Sequence, residues 1–60
     1  MSLYEKLSGI YHELGWKYEE LHVAVEDDNK KEILRLNDEI NSLMQQSEEL
    51  YIEKIHTKLP

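Results

Sequence analysis

Cysteine is absent from the 60-residue chain. Its absence excludes disulfide bridges, thiolate metal ligands and a thiol nucleophile. A domain of this size has a small hydrophobic core and usually depends on disulfides, a metal or oligomerisation for additional stability. The sequence therefore favours oligomerisation as the source of that stability.

Glycine and proline are scarce, with two glycines and one proline in the whole chain. Helix-forming residues dominate both halves, and the strongest break is the acidic segment 26–29. We therefore predict an all-α fold in a single domain over residues 1–60, an antiparallel two-helix hairpin with helix 1 at about 3–26, a turn at 27–29 and helix 2 at about 30–58. Ser2 with Glu5, and Asn29 with Glu32, have the spacing of capping boxes at the two helix starts.

Long apolar runs are also missing. Glu5 and Lys6 interrupt the first ten residues, and no segment approaches the ~20 apolar residues that a membrane span requires. We expect a cytoplasmic protein that does not bind membranes.

Basic residues are few, with seven against thirteen acidic ones and a formal net charge of −6. A net negative charge repels a phosphate backbone, so we expect no nucleic-acid partner. The basic cluster of Lys30, Lys31 and Arg35 is surrounded by acidic residues and is interpreted as a solvated face.

Apolar residues recur at three- and four-residue steps in both halves, the pattern of a coiled-coil-like helix pair. We call these positions the seam: Leu3, Leu7, Ile10, Leu14, Lys17, Leu21 and Ala24 in helix 1, and Ile33, Leu36, Ile40, Leu43, Ser47, Leu50 and Lys54 in helix 2. When the chain is folded back at the turn, facing seam residues have numbers that add to a constant, from Ala24 with Ile33 to Leu3 with Lys54. Five of them are expected to be buried: Leu14, Leu21, Leu36, Ile40 and Leu43. Lys17 is expected to pack its stem and extend its ammonium group to water.

A second row of large residues follows the seam on one side and would stay exposed in an isolated hairpin. These residues are predicted to form the oligomer interface: Tyr4, Tyr11, Tyr18, Met44, Tyr51 and Ile55. A second copy of the chain is the simplest cover, which predicts a homodimer forming a four-helix bundle.

Trp16 lies nearly opposite the seam of helix 1, with His12 and Val23 on the same side. We predict that these three residues bind a protein partner, because tryptophan is enriched among residues that dominate binding energy. A surface aromatic without a partner, or a contact between copies, is the alternative. Gly15 beside Trp16 suggests a close approach of another chain or a local bend.

No residue pattern points to catalysis, a metal or a cofactor. His22 with Glu19 and Glu26 offers three loosely arranged ligands where structural zinc requires four. No nucleophile has a base and an orienting group at a suitable spacing, and no glycine-rich phosphate loop is present. We expect no enzyme activity of the chain itself.

Residues 33–41 of helix 2 resemble the second-helix signature of the small helical-hairpin phosphatases that act on response regulators of the sporulation phosphorelay. Glu39 and the apolar positions match, whereas Asn37, Asp38 and Asn41 replace the Ser, Gln and Asp of that signature. The resemblance implies an alternative function, an aspartyl-phosphate phosphatase acting on a response regulator.

The overall layout is similar to the Rop family of plasmid copy-number proteins, which implies dimerisation into a four-helix bundle. The acidic helix 1 lacks the basic surface that RNA binding in that family requires. The expected function is therefore that of a small acidic regulatory or adaptor protein acting through protein–protein interaction.

Overall fold

The computed structural model describes the backbone of residues 2–58 and the side chains of residues 2–52. Helix α1 covers Leu3–Glu26, and helix α2 covers Lys30–Lys58. The helices pack against each other as the expected all-α hairpin, with no strand among the described residues. The Cα atoms span 50 × 17 × 12 Å, so the molecule is a rod only one helix thick.

Ser2 begins α1 as its N-cap residue. Its backbone is extended, and its hydroxyl oxygen accepts a hydrogen bond from the Glu5 backbone N–H at 3.2 Å. This bond satisfies one of the N–H groups that have no partner inside the helix. The capping role predicted for Ser2 is confirmed.

The turn after α1 has the hydrogen bonds of a Schellman motif. The Asn29 N–H donates to the Ala24 carbonyl at 2.9 Å, and the Asp28 N–H donates to the Val25 carbonyl at 3.1 Å. Asp28 adopts a left-handed conformation with φ of 53°. This geometry ends α1 and sends the chain back along it.

Asn29 caps the start of α2 through its side-chain oxygen, which accepts from the Glu32 N–H at 3.3 Å. The second bond of the predicted capping box, from the Asn29 backbone N–H to the Glu32 carboxylate, is wrong. The Glu32 carboxylate accepts two hydrogen bonds from Arg35 instead. A guanidinium group matches a carboxylate with two parallel bonds and therefore competes well with a single backbone N–H.

The seam forms the core of the hairpin. Its buried members are Leu7, Leu14, Ala24, Leu36, Ile40 and Ser47. Its half-buried members are Leu3, Ile10, Lys17, Leu21, Ile33, Leu43 and Leu50, while the side chain of Lys54 lies outside those described. The periodicity therefore located the inward-facing side of both helices correctly.

Two of the five residues predicted to be buried are half-exposed. Leu14, Leu36 and Ile40 are buried as expected, but Leu21 and Leu43 are only half-buried. Each seam layer whose two side chains are described has one buried and one half-buried member, because two helices cannot enclose both residues of a layer. The core of a single hairpin therefore remains open at its sides.

Candidate interaction surfaces

One side of the seam is lined by large, exposed side chains. We call this surface the tyrosine flank, and it consists of Tyr4, Tyr11, Tyr18 and Val25 from α1 and Met44 and Tyr51 from α2. Their exposed fractions range from 42 to 69%. The structure thus places the described residues of the predicted oligomer interface on one continuous surface, whereas the Ile55 side chain lies outside the described residues.

The tips of the tyrosine flank also join α1 to α2. The hydroxyl oxygens of Tyr11 and Tyr51 lie 3.0 Å apart, and the Tyr18 hydroxyl donates to the Met44 sulfur at 4.0 Å. The hydrogen bond with Tyr11 and partial desolvation raise the pKa of the Tyr51 phenol. The sequence prediction assigned these side chains to a second copy alone and missed their contacts across the hairpin.

The opposite side of the seam, which we call the charged flank, is held by ion pairs. Its members are Lys17, Glu20, Glu32, Arg35 and Glu39. Lys17 is half-buried, and its ammonium nitrogen lies 3.4 Å from Glu39 Oε2 across the helix pair and 3.7 Å from Glu20 Oε2. Lys17 extends away from the seam as predicted, but its ammonium group ends between two carboxylates rather than in water alone.

Arg35 is the centre of the charged flank on α2. Its guanidinium group contacts the Glu32 carboxylate at 2.7 Å and the Glu39 carboxylate at 2.9 Å. The hydrogen bond from Arg35 lowers the pKa of the Glu32 carboxyl, and the same contact raises the pKa of Arg35. Arg35 is therefore neutralised locally, so the basic cluster found in the sequence presents less positive charge than its three residues suggest.

The side of α1 that faces away from α2 carries Trp16, and we call this surface the outer face. Trp16 is 59% exposed, and Val23 is 55% exposed. His12 is also exposed, and its ring meets the indole edge to face with centroids 6.1 Å apart. The structure brings together His12 and Trp16, one turn apart, and places Val23 two turns beyond Trp16 on the same side.

A hydrogen bond fixes the Trp16 ring relative to His12. The indole Nε1–H donates to His12 Nε2 at 3.0 Å, so this nitrogen carries no proton in the bonded state. The bond holds an exposed aromatic ring in one orientation relative to its own helix. Sequence reasoning placed both residues on one side but did not find this bond, although their four-residue spacing was a sufficient signal.

A hollow of ≈340 Å³ lies between the tyrosine flank and the outer face. Gly15 lies in it with Tyr11 on one side and His12, Trp16 and Glu19 on the other. A Cβ atom added at Gly15 would meet no other atom within 4 Å. The packing of the hairpin itself therefore does not require glycine at this position.

A shallow groove of ≈560 Å³ lies on the other side of the seam, toward the open end of the hairpin. Ile10, Leu43 and Leu50 form its apolar part together with Gly9, and charged residues such as Glu13 line it as well. A Cβ atom added at Gly9 would meet no other atom within 4 Å, as at Gly15. The two glycines therefore mark two different surfaces of the same helix.

The segment that resembles the phosphatase signature is spread around α2. Asn37, Asp38 and Asn41 are exposed, whereas Glu39 is half-buried and paired with Lys17 and Arg35. The acidic residue that matches the signature thus stands in an ion-pair network on the charged flank. The structure does not gather the segment's polar groups at one point.

His22 pairs with Glu26, with His22 Nε2 2.8 Å from the carboxylate oxygen. Among the described residues, no group of three or more histidine, cysteine or acidic side chains is arranged to hold a metal ion. Neither helix, over its described residues, combines the length and apolar character needed to cross a membrane.

Comparison of the chain with protein-family models, with curated proteins and with solved structures finds no match.

Proposed function

We propose that this chain is a small acidic regulatory or adaptor protein that binds a protein partner through the outer face of α1. The observation that supports this most directly is the exposed Trp16, oriented by its bond to His12 and accompanied by the exposed Val23. Tryptophan is enriched among the residues that dominate protein–protein binding energy. The net charge of −6 argues against a nucleic-acid partner and suits a partner with a basic rim.

The same proposal includes a homodimer in which two hairpins form a four-helix bundle in the cytoplasm. The tyrosine flank supports this part, because two apolar-rich surfaces of this kind remove each other from water when they meet. Trp16 lies across the hollow at Gly15 from Tyr11, so a dimer formed through the tyrosine flank borders Trp16 on one side and leaves the rest of the outer face, including Val23, exposed. The dimer supplies stability, and the outer face supplies recognition.

The phosphatase alternative has less support. A residue that acts on a phosphorylated protein must be presented to it, whereas Glu39 is engaged by Lys17 and Arg35. Incubation with a phosphorylated receiver domain distinguishes the two functions. We expect no acceleration of dephosphorylation, and a rate increase that is lost in Glu39→Gln would replace the adaptor proposal.

The test of the adaptor proposal uses Trp16→Ala with Leu34→Ala as the matched control. Leu34 is equally apolar and exposed, but it lies on α2, away from the outer face. A protein captured by the immobilised chain is identified, purified and titrated against each variant. Trp16→Ala is expected to weaken its binding by about 2 kcal/mol, or roughly 30-fold in Kd.

Both variants should keep their folding free energy within about 0.5 kcal/mol of the parent chain, because surface substitutions of this kind have small effects. Equal binding by Trp16→Ala and Leu34→Ala would remove the outer face from the proposal. Dissociation of the oligomer in Trp16→Ala would instead assign the tryptophan to self-assembly.

A further inference from the structure

We propose that the second copy docks with its α1 crossing α1 of the first copy at Gly15, so that the two Gly15 residues face each other at the two-fold axis. This inference rests on the homodimer proposed above and adds its contact point. It is carried by three observations: the surface area of the hairpin, the position of Gly15 and the distribution of charge.

The isolated hairpin exposes more surface than a compact protein of its mass. A protein of 7.2 kDa is expected to expose roughly 4,100 Å². This chain exposes 4954 Å², an excess of roughly 850 Å² over that expectation. Each partner of a standard specific interface buries about 800 Å², so one interface of ordinary size accounts for the excess. A second copy is the one partner that is present whenever the chain is.

Gly15 lies at the midpoint of α1, which covers Leu3–Glu26. In a two-fold interface the same surface occurs on both copies, and an axis through the midpoint overlaps the two helices along their full length. Glycine is less favourable than alanine inside a helix, and the space in front of Gly15 is open within the hairpin. A helix from another copy gives this glycine a role, because the distance between two packed helices depends on the side chains at their contact, and glycine permits a close approach.

The charge distribution favours the same side. The interhelical ion pair of Lys17 with Glu39 and the pairs of Arg35 lie on the charged flank, across the seam from the tyrosine flank. Copies that meet through the tyrosine flank keep the ion-paired groups of the charged flank hydrated and apart. Glu19, which also lines the hollow at Gly15, is exposed, and its carboxylate must reach water at the edge of the crossing. Tyr11 lines the hollow at Gly15 and belongs to the tyrosine flank, so the crossing point and the apolar surface are continuous.

Gly9 provides a matched control for every substitution at Gly15. Both glycines are in α1, and a Cβ atom added at either would have no neighbour within 4 Å, so neither substitution creates a clash at Cβ in the hairpin alone. Gly15→Leu should raise the dimer dissociation constant at least tenfold in sedimentation equilibrium, because the leucine side chains force the two helices apart. Gly9→Leu should change it less than threefold.

Cysteine cross-linking supplies a second readout, because the chain contains no cysteine of its own. Oxidised Gly15→Cys should form a covalent dimer rapidly, since a disulfide requires Cβ atoms only about 3.5–4.5 Å apart. Gly9→Cys should remain uncrosslinked. A parent chain that sediments as a monomer would overturn the homodimer itself. A dimeric parent with no cross-link at Gly15, or with equal cross-linking at Gly9, would overturn only the crossing point.

Discussion

Asp28 makes the sharp reversal of the chain at the price of an unfavourable backbone conformation. Its φ of 53° lies in the left-handed region, which costs an ordinary L-residue about 1–2 kcal/mol and glycine almost nothing. Aspartate is among the residues that tolerate this region better than most. Its carboxylate lies between the N-terminus of α2, where the helix dipole favours negative charge, and the C-terminus of α1, where the dipole disfavours it, so the two effects oppose each other.

Asp28→Gly should therefore stabilise the hairpin by about 0.5–1 kcal/mol, because the relief of the left-handed backbone outweighs the added freedom of the unfolded chain. The measurement is the thermal midpoint by circular dichroism. Asp27→Gly is the control, since it removes the same charge one residue earlier at a φ of −83°. That variant should lose stability, and a gain equal to that of Asp28→Gly would assign the effect to charge alone.

Helix α2 shows how strongly the seam separates neighbouring positions. Leu36 is only 1% exposed, whereas Leu34, two residues earlier, is 67% exposed. Replacement of either leucine by alanine removes the same atoms and changes helix propensity equally. The difference between them therefore measures burial in the seam.

Leu36→Ala should destabilise the hairpin by about 2–5 kcal/mol through lost burial and the cavity left behind. Leu34→Ala should change the free energy of unfolding by no more than about 0.5 kcal/mol. Urea titration followed by circular dichroism gives both values. Equal midpoints for the two variants would mean that α2 is rotated relative to the seam described here.

The extent to which the sequence predicted these elements follows from the range of the forces involved. Helical periodicity and the caps at Ser2 and Asn29 depend on near neighbours, so the hairpin and its inward-facing sides were accessible from the sequence. The sequence did not show which of two competing partners a side chain would take. Glu32 pairs with Arg35 rather than with the backbone N–H of its capping box. The degree of burial at Leu21 and Leu43 also depends on how many helices enclose each layer, which no local pattern records.

The whole molecule combines a net negative charge with two unlike sides. The tyrosine flank carries large aromatic and thioether side chains, and the charged flank carries ion pairs. Association through the tyrosine flank must overcome the repulsion between two chains that each carry a formal charge of −6. Salt and chain concentration therefore act on the proposed dimer in ways that an isolated hairpin would not share.

The thermal midpoint should rise with chain concentration, because dimerisation stabilises the folded state by mass action. It should also rise between about 0.01 M and 0.15 M salt, since the screening length falls from about 30 Å to about 8 Å and weakens repulsion between the copies. Salt weakens the exposed ion pairs of Arg35 as well, but exposed ion pairs contribute little to stability. Circular dichroism melts at two salt and two chain concentrations separate these effects. If the midpoint does not depend on chain concentration and falls with salt, the ion pairs of the charged flank dominate a monomeric hairpin, and the four-helix bundle is excluded.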